Sequence, residues 1–146
     1  MFKKVRYTAL RICLMLFYLQ GCSSWSTDSD LRFANTAFQS LAGGYSSAEQ
    51  VIDWETFKSM GENIFKDYAA LTNDMEKEGF RKSFIKSFSS SFQSSGGSAD
   101  NLKNWRILEK DSTKTLVAAD IPNNRSILIT VINRAGKQKI SSLEVK

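Results

Sequence analysis

Asn73-Asp74-Met75-Glu76-Lys77-Glu78-Gly79-Phe80-Arg81-Lys82-Ser83-Phe84-Ile85-Lys86-Ser87-Phe88-Ser89-Ser90-Ser91-Phe92 is the stretch on which the fold turns. Phenylalanine returns at every fourth position, with Ile85 beside the row. Four residues advance an α-helix by about 400°, so each ring drifts about 40° from the one before and all four share one side. Asn73 and Glu76 have the spacing of a capping box, and Asp74, Glu76 and Glu78 suit the positive end of the helix dipole. Arg81, Lys82 and Lys86 take the wet side, and Ser94-Ser95-Gly96-Gly97 stops the helix. The stripe has two readings. It is either core packed against a sheet or, in part, the lining of an apolar ligand cavity.

Beyond Gly97 the character of the sequence changes. Trp105–Leu108, Thr115–Ile121, Ser126–Ile132 and Lys139–Val145 read as strands, joined by short links at Pro122-Asn123-Asn124 and Arg134-Ala135-Gly136-Lys137. Upstream the signals are helical. Phe33, Ala34, Ala37, Phe38 and Leu41 form an amphipathic stripe with Asp30 as the expected N-cap and Gly43-Gly44 as the stop. A second helical segment is expected from a Ser47/Gln50 capping box through Phe57, and another short helix from Ile64 to Leu71. Helices followed by a meander predict an α+β domain: N-terminal helices packed on a curved antiparallel sheet of about four strands.

The start of the chain has a different character. Lys3, Lys4, Arg6 and Arg11 precede and flank an apolar run that ends in Leu19-Gln20-Gly21-Cys22. This is the layout of a secretory signal, and the run is too short for a spanning helix, which needs about twenty apolar residues. Leu19–Cys22 resembles the lipobox of bacterial lipoproteins. That resemblance implies acylation of Cys22, cleavage before it, and a membrane anchor. Ser23 stands where an aspartate would favour inner-membrane retention, so the resemblance implies the periplasmic face of the outer membrane. The expected organisation is a signal over residues 1–21, a tether over 22–29 and a single α+β domain over 30–146.

The formal charge of +5 is mostly signal. Four of the twenty basic residues and none of the fifteen acidic ones lie in residues 1–21, which leaves sixteen against fifteen, or +1. A near-neutral domain gives no electrostatic case for nucleic acid. Of the two cysteines, Cys13 falls within the signal, and the sequence contains no histidine. The domain therefore lacks the commonest general base and transition-metal ligand, and no metal or cofactor is expected.

Ile52-Asp53-Trp54-Glu55, then Leu71-Thr72-Asn73, Glu76, Phe80, Phe84 and Phe88, resemble the periplasmic phospholipid-binding component of the Mla pathway, the toluene-tolerance family. The helices-then-sheet order resembles the wider nuclear-transport-factor-like or cystatin-like cone folds. The resemblance spans roughly residues 50–132 and implies an apolar cavity between helix and sheet.

Asp53 and Glu55 are the one carboxylate pair considered for acid–base work, but two residues apart on a helix they face different ways, and capping and solvated charge account for them. Trp54, Phe57, Phe84, Phe88 and Trp105 are the candidate ligand or partner surface. Catalysis is the least supported function. Two binding readings remain: an accessory module that docks on another envelope protein, and a binder of phospholipid or another small apolar ligand between the Phe80–Phe92 helix and the sheet.

Overall fold

The computed structural model describes residues 28–146. The signal, Cys22 and the tether as far as residue 27 lie outside the described residues. Among the described residues four α-helices come first: α1 (Ser29–Ala42), α2 (Ala48–Val51), α3 (Ile64–Ala69) and α4 (Asp74–Ser94). Between α2 and α3 runs the two-residue strand β1 (Lys58–Ser59). A 3-10 turn at Ala99–Asn101 then leads into β2 (Lys103–Lys110), β3 (Lys114–Ile121), β4 (Arg125–Arg134) and β5 (Lys137–Val145). The five strands lie in the order β1-β5-β4-β3-β2. The class is α+β, and the four long strands form the expected antiparallel meander.

The fifth strand is an addition. β1 runs parallel to β5, pairing Lys58 with Ser142 and Ser59 with Leu143, so the sheet is mixed. Two residues carry no alternation that a sequence pattern can register; the pairing partner defines this strand. The same edge of β5 shortens the helix before it. The segment expected to stay helical through Phe57 leaves the helix after Val51, because Ile52 bridges Ile140 and the Asp53 amide donates to the Ile140 carbonyl at 2.9 Å. The Ser47/Gln50 box does not form: Ser47 makes no side-chain cap bond.

Capping at the other helices is closer to expectation. Asp28, rather than Asp30, caps α1, accepting the Asp30 amide hydrogen at 2.9 Å. Asp30 sits two residues further on, where its carboxylate accepts from Thr115 at 2.7 Å and Gln138 at 2.6 Å and pairs with Lys110 at 2.9 Å. At α4, Asn73 accepts the Glu76 amide at 2.9 Å, and Glu76 reaches back to the amide and hydroxyl of Thr72.

The helix that lies on the sheet is α1, not α4. Its Ala34, Ala37, Phe38 and Leu41 are buried against the face formed by Val117 and Ala119 of β3, Ile127, Ile129 and Val131 of β4, and Ile140 and Leu143 of β5. Two alanines let its backbone approach the strands closely. α4 instead packs on α1 and α2. Its deepest residues are Ile85 and Ser89, one position beyond Phe84 and Phe88. The Ser89 hydroxyl donates to the Ala42 carbonyl at 2.8 Å, and Gln93 adds a second bond at 3.2 Å, so α4 satisfies an acceptor left over at the end of α1. The phenylalanine row overhangs the sheet and is only half-buried.

Candidate functional site

The overhang divides the phenylalanine row in two. Its first half is closed. Trp54 lies 5.7 Å from Phe84 and 6.2 Å from Phe80, edge to face, and Phe57 lies 5.6 Å from Phe84. Tyr68 completes the cluster at 5.7 Å from Trp54. The Trp54 indole N–H donates to the Glu49 carbonyl at 2.9 Å, and Phe57 is fully buried. Such edge-to-face contacts add to the area these rings bury.

The second half is open beneath. Phe88 and Phe92 stack at 6.3 Å, and Phe38 of α1 meets both edge-on. Their far side, with Leu102 and the strand ends Ile121, Ile127 and Val145, encloses a cavity of about 540 Å³. This lies within the range of about 300–1,000 Å³ common for small-molecule sites. Most of its walls are hydrophobic side chains. Ser91, Ser95, Ser98 and the loop Gly96-Gly97 border it at the end of α4, while Met60, Pro122, Asn123 and Arg125 border it elsewhere.

Local chemistry keeps this space open. The chain leaves α4 through Gly96 at φ 79°, and the Gly97 amide returns to the Phe92 carbonyl at 2.9 Å. A side chain at Gly97 would meet the Phe92 ring at 2.5 Å, so glycine is required for this close approach. Ser95 spends its hydroxyl on the Ser91 and Phe92 carbonyls, leaving few free acceptors at the helix end. Met60, 47% exposed with φ 51°, presents a flexible apolar side chain beside the cavity. Its amide is fixed to the Leu143 carbonyl at 2.8 Å.

Of the five candidate surface residues, only Phe88 lines this cavity. Trp54, Phe57 and Phe84 are brought together, but as closed packing. Trp105 stands apart, half-buried on the inner face of β2. Ile121, Ile127, Val145 and Arg125 were missed as site residues. Their signal was present: alternation places Arg125 on the same face of β4 as Ile127, Ile129 and Val131, a cation at the end of an apolar row.

The carboxylate pair is elsewhere. Asp53 is buried, accepts the Thr56 hydroxyl at 2.5 Å and pairs with Arg134 at 2.8 Å; Glu55 shares Arg134 at 3.4 Å. This is an ion-pair clasp between the turn after α2 and the end of β4. A second hollow, at Ser46, Ser47 and Glu49, is polar and occupied at its wall by the Arg81–Glu49 pair at 3.2 Å. Among the described residues no group of three or more acidic, cysteine or histidine side chains is placed to hold a metal, and no helix is long and apolar enough to cross a membrane. No family model matches the sequence, and neither a curated protein nor a solved structure is found to be similar to it.

Proposed function

We propose that this chain is a lipid-anchored envelope protein whose domain binds an apolar-chain ligand beneath the end of α4, without catalysis. The observation that carries this reading is the cavity of about 540 Å³ between Phe88 and Phe92 on one side and Ile121, Ile127 and Val145 on the other. Water gains little from such walls, and an acyl chain placed there removes apolar surface on both sides. An export signal ending at Cys22, as the sequence reads, supports this proposal, because free amphiphiles and lipids are available in the envelope.

The other binding reading, an accessory module for an envelope protein, has its footing on the opposite sheet face. There Leu116 and Ile132 are half-buried and Leu128 is buried, with no helix over them among the described residues. The strip is narrow and interrupted by Thr130, so the cavity is the stronger feature.

The test uses the full chain in membranes of expressing cells and a long-chain alcohol with a diazirine at its chain end. Irradiation is expected to label Phe88, Phe92, Leu102 or the ends of β3 and β4. Ser91→Phe, which fills the space from an exposed helix position, is expected to abolish that labelling. Labelling confined to Tyr45, Met75 or Leu108, or unchanged by Ser91→Phe, overturns the proposal.

A further inference from the structure

Arg125 is the one charged residue lining the cavity among the described residues, and no carboxylate shares the wall. Its position follows from the hairpin. Ile121 and Arg125 close the β3–β4 link as register partners, so both side chains rise on the helix-facing side of the sheet. Asn123 and Asn124 make the reversal, at φ 69° and 54°, in the left-handed conformation that asparagine tolerates. On β4 the inner row then reads Arg125, Ile127, Ile129, Val131, of which the last three are buried. The guanidinium therefore stands where the apolar row meets water. Other arginines of the domain are engaged: Arg81 with Glu49, Arg106 with Asp120, Arg134 with Asp53. Among the described residues Arg125 makes no ion pair and no side-chain hydrogen bond.

A planar guanidinium presents paired N–H donors to an oxyanion, and the neighbouring apolar walls keep water from competing on one side. The end of α4 nearby does not oppose this, since Ser95, Gly96 and Gly97 already cover its last carbonyls. We infer that the ligand is an anionic amphiphile: an apolar chain in the cavity and a carboxylate or phosphate headgroup on Arg125. This rests on the cavity being a ligand site, and it adds the headgroup chemistry to that reading.

The experiment compares two photoreactive probes on the full chain in membranes, palmitate and hexadecanol, each with the same diazirine at the chain end. The acid is expected to label the cavity lining about 10-fold more efficiently than the alcohol, the scale of one charge-assisted hydrogen-bonded contact. Arg125→Gln should bring the acid down to the level of the alcohol and leave the alcohol unchanged, while Arg125→Lys retains part of the preference. Unlabelled palmitate and hexadecyl phosphate, used as competitors, distinguish carboxylate from phosphate; stronger competition by either supports the inference. Equal labelling by acid and alcohol in the wild-type chain, or an equal loss of both in Arg125→Gln, overturns the headgroup assignment and leaves the cavity reading standing. Failure of both probes to label the lining overturns the cavity reading and the inference with it.

Discussion

Ala135 sits at φ 51° and Gly136 at φ 77° in the link between β4 and β5. A two-residue link with both residues left-handed is the mirror-image turn that favours Asn-Gly, and alanine pays for its Cβ there. Ala135→Asn is expected to stabilise the domain by about 0.5–1 kcal/mol, read as a higher denaturation midpoint with unchanged slope. A second residue-scale expectation concerns acid. Burial pushes the Asp30 carboxyl up, but hydrogen bonds from Lys110, Thr115 and Gln138 outweigh it and hold it below its ordinary value. The Lys110 ammonium holds Asp28 low, and Asn104, Arg106 and Ser126 do the same for Asp120. A carboxylate with a lowered folded value contributes stability that is complete above its unfolded value and disappears as pH falls through the folded one. Stability should therefore hold from neutral pH down to about 4 and fall below it. Asp30→Asn should flatten that acid limb in a pH series of thermal melts. A limb unchanged in Asp30→Asn would remove Asp30 from the account.

α4 is where the sequence reading met its main correction. Its length, its Asn73 cap and its four phenylalanines are local features, and spacing alone reveals them. Where it rests is not local. The small side chains of α1 win the place on the sheet, and the bulky row of α4 is left to bridge the gap. The four long strands were legible from their short apolar and β-branched runs and the turn residues between them, whereas β1 exists only through its pairing with β5. The candidate residues split the same way. An aromatic stripe announces apolar contact but cannot say which rings close on each other and which stop short of the sheet, because that depends on the tilt of one helix over another. The two halves should respond differently to truncation. Phe57→Ala, in the closed cluster, is expected to cost about 4 kcal/mol of stability. Phe88→Ala, with one side already facing the cavity, should cost about half as much, because fewer contacts are lost. Equal costs in urea melts would mean that the two halves are equally filled.

On the scale of the whole molecule, the described domain has a packed centre around Phe38, Ile129 and Leu143 and a hollow end beneath Phe88 and Phe92. The proposed anchor, Cys22, lies outside the described residues, six positions before Asp28 in the sequence. Cys22→Ala is expected to move the protein from the detergent phase to the aqueous phase in a two-phase partition, or to leave it unprocessed; unchanged partition and processing would remove the lipoprotein assignment without touching the cavity. Ligand binding in the cavity is tested most directly by native mass spectrometry of the chain as expressed, released from membranes in mild detergent. A species heavier by one amphiphile beyond the covalent acyl groups is expected; it should be lost in Ser91→Phe and increase in the wild-type protein when palmitate is added. A single apo mass that takes up no palmitate would contradict the cavity reading.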